Sequence, residues 1–245
     1  MYYQRNNSPF GRGNGNTFGS RYQYQTLPYG YEGVQSSGLI GKVMGLLAFS
    51  FLFAAIGSFV GLTTLHLTFG SYLVVAIGGL VVLIALNFLI QVSGLNLFLL
   101  YLFTFLEGLS LSPLLSVYIQ NYPNILGQAF FMTAITSLAL ALYAWTTKRD
   151  FSRLGDYLFF GVILLLVAGI VGFFFQSSLF VLLVSVVGIA IFSGYVLFYV
   201  QRAKFMADTV PNAIGLTVSI FITVLNLFLY ILQLLSILQG GDRRR

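Results

Sequence analysis

At 245 residues, of which 58% are hydrophobic and only 7% charged, the chain has too few charges to wet a soluble globule, whose charged fraction is about 25%. No cysteine and a single histidine, His66, exclude disulfides, thiol nucleophiles and cysteine-ligated metals, and leave no basis for a histidine metal site or a Ser-His-Asp triad. The formal charge of +6 comes from basic residues at the ends of apolar segments, a distribution that orients a membrane protein and argues against a nucleic-acid partner.

Residues 1–38 hold seven glycines, six tyrosines and three arginines, with Glu32 the only acid. Such a composition cannot bury a core and predicts a disordered tail, either simply solvated or used as a docking arm. No cleavable signal peptide is expected, because the first apolar run begins only near Leu39. Spanning ~30 Å of hydrocarbon takes about 20 helical residues, and seven runs meet that length: 39–62, 71–90, 95–118, 127–145, 157–175, 178–200 and 212–238. They are continuously apolar rather than alternating, which favours helices over strands. The predicted fold class is therefore all-α, with a seven-helix membrane domain at 39–238 and a basic tail at 239–245.

The connections set orientation. Arg5, Arg12, Arg21 and Lys42 flank the first span; Lys148, Arg149 and Arg153 follow the fourth; Arg202 and Lys204 follow the sixth. The connections at 63–69, 119–126 and 176–177 contain no Lys or Arg. The positive-inside rule then places the N-terminus in the cytoplasm. Seven spans put the ending Arg243-Arg244-Arg245 on the opposite side, against that rule, unless one segment is re-entrant; the internal loops outvote the tail.

Polar groups within the spans are few. Glu107 lies near the middle of the third, where an ionised acid costs about 2.5–3.5 kcal/mol on insertion scales. It is expected to face the bundle interior, protonated, hydrogen-bonded or paired, and is the candidate intramembrane functional acid. Six residues on, Pro113 removes a backbone donor and presses on the carbonyl of Leu109; Ser110 and Ser112 are placed to satisfy carbonyls so freed. In the seventh span Ser219, Thr223, Asn226, Tyr230 and Gln233 are spaced by four, three, four and three, which puts them on one helix face. That stripe points away from lipid and makes the seventh helix the expected central element, bonded to neighbours or lining a path. Gly41/Gly45 and Gly57/Gly61 both have the spacing that permits close helix contact. Asn87 and Gln91 read as interface or capping groups, and His66 as a surface residue.

Several segments resemble the Bax inhibitor-1 family, in its bacterial form. They are Phe103-Thr104-Phe105-Leu106-Glu107-Gly108-Leu109-Ser110-Leu111-Ser112-Pro113, Met132-Thr133-Ala134, Leu142-Tyr143-Ala144, Thr147-Lys148-Arg149-Asp150-Phe151-Ser152 with Leu154-Gly155, and Asn226-Leu227-Phe228-Leu229 with Leu234-Leu235. The resemblance implies six helices around a central seventh and a home in the bacterial cytoplasmic membrane. It also implies association with a pH-sensitive calcium leak, with suppression of stress-induced death, and with a membrane-anchored AAA protease. The family's leak is attributed to two aspartates, whose positions this chain fills with Tyr199 and Thr223. Paired carboxylates share a proton and titrate together; tyrosine and threonine do not near neutral pH. The expectation is therefore a non-enzymatic regulatory or interaction subunit, with a calcium or proton leak through Glu107 as the alternative. No cofactor or resident metal is expected, and calcium ions enter only with the leak. An intramembrane hydrolase needs a nucleophile with a base, or paired carboxylates, in the bilayer, and one deep acid supplies neither.

Overall fold

A long apolar run in a medium without water must close its backbone hydrogen bonds within itself, and the helix is the form that does so. The computed structural model describes residues 35–65, 69–174 and 177–240. All seven runs are helical: α1 (Gln35–Val60), α2 (Phe69–Leu89), α3 (Leu95–Asn121), α4 (Pro123–Thr146), α5 (Leu154–Phe174), α6 (Ser178–Ala203) and α7 (Val210–Gly240). A π-helical turn, Gly61–Leu65, continues α1. All seven are long and apolar enough to cross a membrane, and no sheet forms among the described residues.

Most helices outrun their predicted bounds, while α2 and α5 end one residue short of theirs. α1 starts at Gln35 rather than 39, taking the first turn from the expected tail; the rest of that tail, His66 and residues 241–245 lie outside the described residues. The connection expected at 119–126 shrinks to Tyr122, because α3 continues to Asn121 and Pro123 opens α4. Proline suits the first helical position, where its missing N–H has no intrahelical partner to lose. Tyr122 bridges the corner: its N–H donates to Tyr118 O at 2.8 Å, and its carbonyl accepts from Ile125 N and Leu126 N.

The chain forms two compact units, the first running to Pro113 with Arg202–Ser219, the second comprising Leu114–Gln201 and the chain from Ile220. In the first, α1 lies against α3 at backbone distance. A Cβ on Gly108 would overlap the carbonyl of Ala54, and one on Gly57 the carbonyl of Phe105. Phe53 and Tyr101 stack beside this contact, ring centroids 4.9 Å apart. Gly61 continues the seam against Ser112, whereas Gly41 and Gly45 face open space. Lys42, near the start of α1, reaches Asp208 in the α6–α7 connection at 2.9 Å. Within this unit α7 is buried from Asn212 to Val218.

In the second unit α5 and α6 pack through Gly161 against Ile191 and Gly194 against Leu158. α6 meets α7 where Gly188 admits the Tyr230 ring, and α4 meets α7 where Phe130 and Phe228 stack at 4.4 Å. Across both units no residue of α7 between Pro211 and Ile237 is exposed. Burial covers 33% of the α7 span and 39% of α3, against 11% for α2 and for α5. The largest buried shares thus fall on α3 and α7.

Candidate functional site

Glu107 sits on the face of α3 next to α2. Its Oε1 lies 3.4 Å from the point where a Cβ on Gly79 would be, so the carboxylate occupies the hollow left by that glycine. The residue is half-buried, and among the described residues no hydrogen-bond donor or cation bonds its carboxylate. Of the three states expected for it, protonated, hydrogen-bonded or paired, the described side chains supply no partner for the last two. The polar residues after it serve the backbone instead. Ser110 Oγ donates to Glu107 O and Ser112 Oγ to Leu109 O, both at 2.8 Å. Leu109 is four residues before Pro113, so the serine hydroxyl replaces the N–H that proline lacks. α3 stays helical through Pro113 for this reason.

The α7 stripe resolves into two kinds of contact. Ser219 Oγ donates to Gly215 O at 2.9 Å and Asn226 Nδ2 to Ile222 O at 2.8 Å, each within α7 itself. Lower down, the bonds cross between helices: Ser185 Oγ on α6 donates to Gln233 Oε1 at 2.8 Å. Ser236 Oγ gives its proton to Leu232 O and takes one from Tyr118 Oη on α3, both at 2.6 Å. Gln239 Nε2 donates to Gln128 Oε1 on α4 at 2.6 Å. Sequence periodicity found the stripe as far as Gln233; Ser236 and Gln239 extend it at the same three-residue step.

The positions expected from the resemblance to carry the family's aspartates, Tyr199 and Thr223, hold no carboxylate. Tyr199 stacks on Tyr195 at 5.5 Å with rings nearly parallel, and meets Phe198 edge-on at 5.2 Å. Phe192 joins Tyr195 to Tyr230, so the α6 face toward α7 is an aromatic ladder. Thr223 is 3% exposed. Among the described residues no group of three or more His, Cys, Asp or Glu side chains could hold a metal ion.

Gln201, two residues beyond Tyr199, was missed by sequence reasoning. Its side chain is 5% exposed and its amide grips the α4–α5 connection from both sides. Oε1 accepts from Phe151 N at 2.5 Å, and Nε2 donates to the carbonyl of Arg149. Two further turns fix the same loop: Thr147 Oγ1 accepts from Arg149 N at 3.3 Å, and Asp150 Oδ1 from Ser152 N at 2.8 Å. With its backbone held inward, the loop leaves Lys148, Arg149, Asp150 and Arg153 exposed. The only sequence signal for this clamp was a polar residue closing an aromatic run.

Comparison with known proteins gives this arrangement a lineage. A family model described as inhibitor of apoptosis-promoting Bax1 matches residues 36–240. A protein of Campylobacter jejuni described as uncharacterized is 34% identical over 218 residues, covering 84% of this chain and 92% of its own length. One from Pseudomonas aeruginosa is 31% identical over 222 residues, covering 90% and 98%. An uncharacterized membrane protein of Vibrio cholerae is 35% identical over 144 residues, 58% of this chain but only 64% of that protein. A Golgi anti-apoptotic protein of vaccinia virus is 33% identical over 143 residues, 58% of this chain and 59% of its own. The family match spans the first helix through the last, over the same segments that carry α3, the clamped loop and α7: the chain is an integral membrane protein of the Bax inhibitor-1 family.

Proposed function

We propose that this protein is a non-enzymatic regulatory or interaction component of the bacterial cytoplasmic membrane, with its N-terminus in the cytoplasm, acting on membrane proteolysis, a stress response or a larger complex. The observation that carries this reading is Tyr199. The position to which the resemblance assigns a titrating carboxylate holds a ring stacked on Tyr195, and the second position holds Thr223. A switch made of two acids sharing a proton has no counterpart in those groups. The name of the viral relative, a Golgi anti-apoptotic protein, favours the same regulatory class, and a membrane-anchored AAA protease is the partner the family resemblance favours.

One observation supports a second reading, a calcium or proton leak. The Glu107 carboxylate lies beside Gly79 with no bonded partner among the described residues, on a helix that is among the most enclosed. Such a group binds a cation or carries a proton more readily than one committed to a neighbour. Flux of calcium into proteoliposomes, followed between about pH 6 and 8, separates the readings. The regulatory reading expects no flux above empty vesicles. Flux that disappears in Glu107→Gln would establish the leak and overturn it.

A further inference from the structure

The α4–α5 connection is short, running from residue 147 to 153 between two membrane-length helices, which keeps it near the membrane surface. Three of its residues are the cations Lys148, Arg149 and Arg153, all exposed and without an ion-pair partner among the described residues. Neither nearby carboxylate forms an ion pair with them among the described residues. Asp150 accepts the Ser152 N–H, and Asp156 occupies the first turn of α5, where it meets the positive end of the helix dipole. The spans on either side end in exposed amphipathic rings, Tyr143 and Trp145 on α4 and Tyr157 on α5, the residue types that sit at the membrane–water boundary. The loop is also held in one shape, because the buried Gln201 amide fixes the backbone at Arg149 and Phe151.

We propose that this loop is a binding site for the phosphodiester headgroup of an anionic phospholipid, with Lys148, Arg149 and Arg153 as its ligands and Gln201 as the positioning residue. Guanidinium forks match phosphate oxygens in a bidentate fashion, and cations at the membrane surface attract anionic lipid. An unclamped loop would lose entropy on closing around a headgroup; the Gln201 bonds remove most of that loss beforehand. The proposal stands independently of whether the bundle conducts ions.

The test is retention of phosphatidylglycerol against phosphatidylcholine by the purified full-length chain, read by native mass spectrometry from mixed micelles. The expected result is preferential phosphatidylglycerol retention, reduced about tenfold or more in the triple variant Lys148→Gln, Arg149→Gln, Arg153→Gln. A second triple variant, Arg5→Gln, Arg12→Gln, Arg21→Gln, removes the same net charge from the N-terminal tail and is expected to retain the lipid. Gln201→Leu keeps every cation and is expected to weaken retention severalfold. Equal retention of the two lipids, or unaltered retention in the loop variant, overturns the site. An equal loss in the tail variant assigns the attraction to net charge and overturns it too. Displacement by inorganic phosphate at matched ionic strength would make it a free-anion site and overturn the lipid assignment. Unchanged retention in Gln201→Leu overturns the positioning role.

Discussion

Gln201 bonds backbone groups that are 50 and 52 residues away in the chain, and its burial means that neither bond is exchanged freely with water. Each is worth about 0.5–1.5 kcal/mol net, and more when its loss strands a buried partner. Gln201→Leu keeps the bulk and removes both. The loop then opens more often, and trypsin, which cuts after Lys148, Arg149 and Arg153, should nick it about tenfold faster in detergent-solubilised protein. Cutting after Arg202 and Lys204 serves as the internal control; an equal acceleration there would mean general unfolding rather than release of the loop. Residues of this kind were illegible in the sequence because their partners are set by tertiary contact, not by spacing. Glu107 was legible because a lone charge within an apolar run violates the transfer energetics of the whole segment. Its neighbour was not: nothing in the order of residues distinguishes Gly79 from the adjacent Gly78, and only the approach of α2 to α3 places the carboxylate beside the former.

At the scale of elements, the same glycine spacing occurs twice on α1 and has two fates. Gly57 and Gly61 meet α3, while a Cβ at Gly41 or Gly45 meets nothing within 4 Å. The contact is reciprocal, since Gly108 on α3 receives the Ala54 carbonyl of α1. Backbone cannot rotate out of the way as a side-chain tip can, so Gly108→Ala forces the two helices apart, at a cost of about 1–3 kcal/mol. Gly41→Ala adds a methyl in open space and trades glycine's backbone entropy for alanine's helix propensity, a gain of up to about 1 kcal/mol. Unfolding midpoints of the two variants in one detergent should therefore move in opposite directions, and a similar shift in both would remove the close-contact account. Hydropathy revealed all seven helices because burial in lipid is a property of whole segments. Their ends were less legible, since Pro123 reads as a breaker until its place at the first position of α4 is known, and Tyr122 alone suffices to turn the chain.

For the whole molecule, the decisive quantity is the parity of spans. In the orientation proposed above, the seven membrane-length helices put the two ends of the domain on opposite sides of the membrane, with the basic connections at Lys148, Arg149 and Arg153 and at Arg202 and Lys204 on the N-terminal side by charge. Arg243-Arg244-Arg245 at the far end runs against that proposal by the same rule. Loops between two spans carry more weight in the proposal than a terminal run, because reversing such a loop would reverse both spans that bound it. The absence of cysteine makes the test direct, because each introduced thiol is the only one in the chain. A membrane-impermeant maleimide applied to intact cells of a bacterial host should label Ser177→Cys, in the connection between α5 and α6, and Asp242→Cys. It should leave Ser152→Cys, in the α4–α5 connection, unlabelled until the membrane is opened. Labelling of Ser152→Cys from outside would invert the molecule and move the basic loops to the outer face. Protection of Asp242→Cys with Ser177→Cys still labelled would mean that α7, for all its length and apolarity, does not cross, and the enclosed helix would then be a re-entrant one.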